Sequence, residues 1–555
     1  MKNMFVSCKF CKKFGTFATE YLLLKNRTMK RGLLLSVVFL FFGVQLFAQS
    51  LEAIDWGKEA SNEQEASYLK FIGGDDNAYY LIHSDKKVRL GSQIYLDKFS
   101  ALTNEKEASF AIELPLVQKK RTRFEAIFFK GEKFILFTSL RDNSRKQNVI
   151  YVSYLNENGT LKNKPIEIDA VAIGSGPKGL NISLSKDEQA IVLVAYQPFV
   201  KYKGGEIHVS LIDFSLMKIA DLVFTLPESY NDRTTRIKQI EYTKNGDVVL
   251  LGVIEKVSKK KPRKGVEVVM EFDHFLAIYN VEQEELKDFI IKAAKYKIAD
   301  AKFTVNRKNK VIVAGLIRGS KDINTKIGFF YKRYDPSLLK ELPNIDPKGY
   351  ISKFSRELLP IISNPALGKE LKERYSYKIN SVEELQNGTY IVLAEQYNKT
   401  YKKVKGPEGK YFNLNYHYNG AILAACVGKT GKFDWVNLYP KKQRGTNDNA
   451  FYSSYALVKI KNKLKLFYND NSSNLEKGIA VKKIKEFKSN IRTTPKGIAA
   501  VLSIYRDGSY EIDPMFPNGE DGLVILPKTL GKTKNGFVIV SQEGTEFKLG
   551  SFIVE

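Results

Sequence analysis

The sequence predicts an all-β fold, a β-propeller of eight four-stranded blades with seven as the alternative, and three observations predict it. A turn-and-strand phrase recurs: KNGDVVLLGV from Lys244, KNGFVIVSQE from Lys534 and QNGTYIVLAE from Gln386, with looser versions beginning at Asp75, Lys130, Lys186, Arg307 and Lys461. Each turn carries Gly, Asn or Asp, which tolerate the left-handed backbone of a tight hairpin. Each apolar run is short and rich in Val, Ile, Leu, Phe and Tyr, as a buried strand requires. The phrases lie about 55 to 79 residues apart, which leaves room for four strands in every repeat. Repetition on this scale marks a propeller, and no strand–helix alternation speaks for an α/β fold.

Taken in order, the recurring phrase is the second strand of each unit, and a first strand precedes it, as RIKQIEY precedes Lys244. Third strands are read in SQIYLDKF, NVIYVSYL, GEIHVSLIDF, HFLAIYNV, KIGFFYKRY, NGAILAACV, IAAVLSIYRDG and EFKLGSFIVE, and fourth strands in SFAIEL, PIEIDAV, DLVFTL, DFIIKA and FDWVNLY. The one plainly helical stretch is GKELKERY, Gly368 to Tyr375, inside an insertion near 340–378; further insertions fall near 396–417 and 470–495. The last unit stops at its third strand, while LEAIDWGKEA at Leu51 is a strand to spare. Ile54 to Lys58 is therefore expected to pair with Phe547 to Val554, closing the ring and removing two exposed sheet edges.

Met29 to Gln49, MKRGLLLSVVFLFFGVQLFAQ, has the basic start, apolar run and small-residue cut site of a secretory signal peptide. The run is shorter than the ~20 apolar residues of a spanning helix, so no transmembrane segment is expected in the mature chain. Residues 1–28 are expected to be an over-long start and 50–555 a single propeller domain, exported to the periplasm, the outer surface or the medium. Cys8 and Cys11 then lie upstream of the signal, and Cys426 stands alone in AILAACV, a small buried hydrophobe. The net charge is +27, of which residues 1–49 supply +7, leaving about +20. Such an excess attracts anionic glycans, lipid headgroups or acidic proteins; export argues against nucleic acid.

The stretch from FDWVNLYPKKQ (Phe433) through LFYNDNSSNL (Leu466) to FKLGSFIVE (Phe547) resembles a group of exported bacterial β-propeller proteins without established function. The resemblance covers roughly the last quarter of the chain and implies the fold alone. No WD dipeptide at blade spacing and no sialidase box occurs, and Gly pairs of the kelch kind occur only at Gly73-Gly74 and Gly204-Gly205.

Chemical motifs are few. GSGPKG, 174–179, matches a dinucleotide loop by letter, but a strand follows it and Pro177 sits inside it, so it reads as a turn. DNSSNLE from Asp470 lacks the Gly and bidentate Glu of a calcium loop and reads as an Asx-rich turn. His83, His208, His274 and His417 are scattered without the spacing of a zinc helix. No metal and no cofactor is expected. Innermost strands carry Glu125, Glu241, Asp300, Glu383 and Glu384, but nothing in the sequence fixes two of them at the separation that a glycosidase needs.

Two functions are weighed: a non-enzymatic binding or scaffold protein of the cell envelope, and a secreted carbohydrate-active enzyme, a hydrolase or lyase, with acids at the propeller channel. The first is preferred because the a–b turns are tight while the b–c loops are long, and function concentrates on loops held by a rigid scaffold. The b–c loops together hold a balance of +19, against the +20 of the whole mature chain. They include KVSKKKPRKG from Lys256 and the aromatic residues Phe199, Tyr202, Tyr397, Tyr401, Tyr411, Phe412 and Tyr416. The residues expected to bind are Lys259, Lys260, Lys261, Arg263, Lys264, Tyr202, Tyr401, Lys402, Lys403 and Tyr411, and the expected partner is an anionic envelope glycan or an acidic protein.

Overall fold

The computed structural model describes residues 54–63, 66, 68–84, 92–172, 180–185, 188–196, 206–225, 234–256, 271–319, 326–344, 350–358, 376–406, 408–475, 483–489, 497–515 and 524–554. The expected leader, GSGPKG and GKELKERY lie outside these residues.

Among the described residues the chain forms eight sheets of four or more strands, each built on antiparallel neighbours, over 68–111, 123–172, 180–225, 234–290, 297–342, 376–439, 456–514 and 525–552, and a two-stranded hairpin of Leu116–Val117 with Lys120–Arg121. Two complete 3-10 turns lie among the described residues, at Pro336–Leu338 and Ser472–Asn474. Asn471 caps the second of these by accepting the Ser473 N–H at 3.1 Å, so the Asp470 segment is an Asx turn.

Packing explains why the second strands read as unbroken apolar runs. A sheet with a neighbour on each face buries its central strands on both sides. All seven residues of Ala78–Ser84 and all eight of Val311–Arg318 are buried. Each pair of successive sheets shares a core. Ile82 and Leu96 meet Ile127 and Phe134 between sheets one and two, Phe137 meets Leu193 between two and three, and Val194 meets Leu250 between three and four. The series continues through Leu276 with Phe330, Phe329 with Leu423 and Ile391 with Leu466. Phe467 then stands 5.3 Å from Phe552, linking sheets seven and eight, and Leu81 of sheet one packs with Leu549 of sheet eight.

First strands of neighbouring sheets lie side by side. Gln239 donates to the Phe303 carbonyl at 2.7 Å and Glu241 accepts the Val305 N–H at 3.3 Å. One sheet on, Lys302 donates to the Asn380 carbonyl at 2.8 Å and the Arg307 N–H to Glu384 at 3.1 Å. Partners climb together along both chains, so the first strands of sheets four, five and six run in the same direction. Their second-to-third-strand connections consequently share one end. A bulge interrupts the first strand in sheets one, two, four, five and six, at Ile72, Glu125, Lys238, Ala299 and Asn380. Such a bulge turns a side chain out of the regular alternation.

The N-terminal segment supplies a fourth strand to the last sheet. Asp55 and Trp56 pair with Ser551 and Gly550, and Ala60 and Ser61 with Phe547 and Glu546. Asn104 of sheet one clamps the pair, its amide donating at 2.8 Å to both the Asp55 carbonyl and Ser551 Oγ. Gly57 permits this approach, since a Cβ there would lie 2.1 Å from the Asn104 carbonyl oxygen. Deleting residues 50–60 from the chain beginning at Ser50 is expected to lower the melting temperature and the solubility, because it uncovers an edge strand. A truncated protein that melts like its parent would remove this role.

Candidate functional site

Six of the residues expected to bind, Tyr202, Lys259, Lys260, Lys261, Arg263 and Lys264, lie outside the described residues. Tyr401, Lys402, Lys403 and Tyr411 are described, and they correct one expectation. The segment near 396–417 is not an irregular loop. The strands Tyr390–Lys405 and Tyr411–Val427 continue past the sheet as a two-stranded ribbon, in unbroken register from Tyr397↔Asn419 to Lys405↔Tyr411. The aromatic and branched residues Thr400, Tyr401, Val404, Tyr411 and Phe412 favour strand over loop, a signal that the sequence carried. The reversal at the tip is tight: the Gly409 N–H donates to the Gly406 carbonyl at 2.9 Å, with Gly409 at φ +77°.

Register sorts the side chains onto two faces. Lys399, Tyr401, Lys403 and Lys405 share one face with Tyr411, Asn413 and Asn415 of the partner strand, and all are exposed. Lys402 falls on the other, with half-buried Val404, Leu414 and Tyr416. Tyr401 and Tyr411 are each 70% exposed, unusual for rings of that size. The base is held firmly. Gln443–Thr446 pairs with Tyr416–Asn419, the Asn415 N–H donates to Asn447 Oδ1 at 2.8 Å, and the Arg444 guanidinium stands 6.0 Å from the Tyr416 ring. Lys399 lies opposite buried His417, whose pKa is lowered by burial first and by the Lys399 charge second.

The acids singled out on the inner strands are all engaged. Glu125 accepts from Ser139 Oγ at 2.6 Å and lies 3.5 Å from Arg123. Glu241 accepts from Gln239 Nε2 at 2.9 Å and from the Val305 N–H. Asp300 pairs with Lys238 and accepts the Ile379 N–H at 2.7 Å. Glu383 stands 3.9 Å from Lys459, and Glu384 accepts the Arg307 N–H at 3.1 Å. These carboxylates stitch strands to one another.

The cations on the same strands are the feature that the search for acids passed over. Lys70, Lys378 and Lys528 are exposed and Lys302 is half-buried, yet surrounding protein lowers the ammonium pKa of all four, desolvation being the largest cause. At the opposite end of the strands, three turns enclose a hollow lined by Arg307, Gln386, Lys459 and Lys461. Each turn is tight, but the space between turns is not closed.

Other groups are chemically quiet. Cys426 is fully buried and its thiol is pushed up to about 12 by burial. His83 is buried with Nδ1 2.7 Å from Asp97, which also pairs with Lys106 at 3.0 Å. Among the described residues no His, Cys, Asp and Glu cluster could hold a metal ion, and no helix is long and apolar enough to cross a membrane.

No protein-family model and no curated protein matches the chain. Among solved structures it is similar to the β-propeller domain of the Trilobed protease from Pyrococcus furiosus, at 9% identity and a TM-score of 0.32, over 82% of this chain and 100% of that one. It is similar to a europium-containing methanol dehydrogenase at 10% identity and a TM-score of 0.36, over 89% and 93%. A third is the Pyrococcus horikoshii acylaminoacyl peptidase, at 9% and 0.31, of which the chain covers 57% against 86% of its own length.

Proposed function

We propose that this chain is an exported eight-bladed propeller, closed by its N-terminal strand, that binds an anionic glycan of the bacterial envelope without turning it over. The observation that carries this reading is the exposed ribbon face, on which Lys399, Lys403 and Lys405 alternate with Tyr401 and Tyr411. Tyrosine offers a large rigid surface on which a sugar ring can stack, at little cost in side-chain entropy. The ammonium groups between the rings meet carboxylate, sulfate or phosphate substituents. An acidic protein would satisfy the charges but leaves the two bare rings unexplained.

A glycan array probed with the chain beginning at Ser50 tests this directly. Binding to acidic and not neutral polysaccharides is expected, weakening steeply with salt because exposed charges are screened beyond ~8 Å at physiological ionic strength. Tyr401→Ala with Tyr411→Ala should weaken binding about fivefold or more, as central aromatic anchors do, with an unchanged melting temperature. Replacing Lys259, Lys260, Lys261, Arg263 and Lys264 with Ser should reduce binding similarly. Cleavage of a bound polysaccharide, or capture of acidic proteins alone, would overturn the reading.

A further inference from the structure

Three cations surround one acid near the start of the first strands of sheets four to six. Arg236 and Lys238 come from Thr234–Tyr242, Asp300 from Lys297–Val305 and Lys378 from Ser376–Glu384. Lys238 is the bulged residue of its strand. Its ammonium pairs with Asp300 and also donates to the Ala301 carbonyl at 3.1 Å. The second oxygen of Asp300 accepts the Ile379 N–H at 2.7 Å. Both oxygens of Asp300 are therefore committed.

Arg236 and Lys378 are left over. Both are exposed and neither forms an ion pair among the described residues. Arg236 lies opposite Val253, itself opposite His274 on the next strand, and Lys378 adjoins Ile379, whose N–H is held by Asp300; the Lys378 ammonium is destabilised by burial first, with Arg236 and Lys238 adding to this and Asp300 opposing it. Lys378 stands 4.2 Å above the Tyr397 ring, which fixes its direction. Beside the cluster is His274, 2% exposed, with no partner for Nδ1 among the described residues. Burial first, then Lys238, hold its pKa down to about 3, against the pull of Asp300 and Asp273, so it adds no charge. Cohesion of the three strands does not need the extra cations, since Ile237, Ile298, Tyr377 and Ile379 pack the sheets together. Cations in excess of the acids beside them cost free energy that an oxyanion placed among them recovers.

We infer that Arg236, Lys238 and Lys378 form a binding site for one oxyanion group: a carboxylate, a sulfate or a phosphate. Which larger molecule carries that group rests on the glycan reading above. Lys378 lies in backbone register opposite Glu395, on the strand that continues into the ribbon, so the site and the ribbon stand at the same end of sheet six.

The chain beginning at Ser50 is titrated with inorganic phosphate, sodium sulfate and glucuronate at constant ionic strength, with glucose and chloride as controls. Calorimetry and the melting temperature are both read. At least one anion is expected to bind saturably and raise the melting temperature, and the anion that does so names the substituent. Arg236→Met with Lys378→Met should weaken that binding about tenfold or more, because each hydrogen bond to a charged group is lost, while Lys378→Arg retains it. The Tyr401→Ala, Tyr411→Ala protein should respond to the ion as the parent does. An ion response with a blank glycan array leaves this site standing and removes the glycan. No saturable response to any of the three anions, or an equal response in the double Met variant, overturns the site.

Discussion

Replacing Glu395 by Gln, or Lys441 by Met, is expected to lower the free energy of unfolding by about 3–5 kcal/mol, because either change leaves a buried charge without its partner. The two groups meet at 2.6 Å with side chains 4% and 1% exposed. Glu395 also accepts from Ser454 Oγ at 2.7 Å and Asn380 Nδ2 at 3.3 Å, and Lys441 donates to Gln443 Oε1 at 2.9 Å. Gln443 passes the network on to the Asn469 carbonyl at 2.7 Å. Asn469 then exchanges a pair of hydrogen bonds with the backbone of Ile525, accepting at 2.9 Å and donating at 2.8 Å. The chain of bonds thus crosses from sheet six through sheet seven into sheet eight. Every member is satisfied by another, so the low dielectric that makes an orphan costly strengthens the intact set. Urea unfolding of both single variants and the double variant checks this. The double should cost clearly less than the sum of the singles, since contacting partners couple. Single variants within about 1 kcal/mol of the parent would show that sheets six to eight do not depend on the pair.

Much of the fold was legible in the sequence because hairpin chemistry is local. Gly or Asn in the turn and an apolar run after it are decided within ten residues, so KNGDVVLLGV shows a second strand without knowledge of anything else. The N-terminal strand was legible by a different route, as a strand without a partner beside a sheet that lacked one, and Asp55 does pair with Ser551. The ribbon was misread because length between two strands was equated with loop, although the alternation of Tyr401, Lys403 and Lys405 against Lys402 and Val404 had the period of a strand.

The binding chemistry was less legible because it depends on which charges cancel. Lys238, Lys302 and Lys378 are ordinary lysines in sequence. Only adjacency of the first strands shows that Asp300 neutralises Lys238 and leaves Lys378 over. The bulges matter in the same way: they set Lys238 and Asn380 outside the regular alternation, and no periodicity argument anticipates which side such a residue faces. Charge counting puts an excess of cations in the second-to-third-strand connections, most of which lie outside the described residues. It could not tell a stitched carboxylate from a free one, or a paired lysine from one that waits for an anion.

Stability is expected to fall as pH rises from about 4 to about 7 through the contribution of Asp470, and Asp470→Asn is expected to abolish that fall. Asp470 is 1% exposed, and desolvation raises its carboxyl from 3.8 to about 7, against the Asn474 amide, the Asn471 N–H and the more distant charge of Lys441. The folded pKa lies above the unfolded one. The stability is therefore fully present below about pH 4, where both states are protonated, and is lost as pH rises through 7. A difference of this size corresponds to roughly 4 kcal/mol between the two limits, at 1.36 kcal/mol for each pKa unit. Asn has the shape of the protonated acid and keeps an oxygen to accept from Asn474 Nδ2, now at 2.7 Å, and from the Asn471 N–H, now at 2.8 Å. Its side chain does not ionise, so the variant should match the parent near pH 4 and exceed it above pH 7, where the parent must hold a buried carboxylate. Lys441 ties this result to the previous one: it is the only cation among the causes that hold the Asp470 pKa down, so Lys441→Met should carry the end of the loss to higher pH, while the onset near pH 4, set by the unfolded carboxyl, stays where it is. Denaturant unfolding of the parent and both variants at half-unit steps from pH 4 to 9 reads all three curves. Parallel curves for the parent and Asp470→Asn would show that Asp470 does not change its protonation on folding.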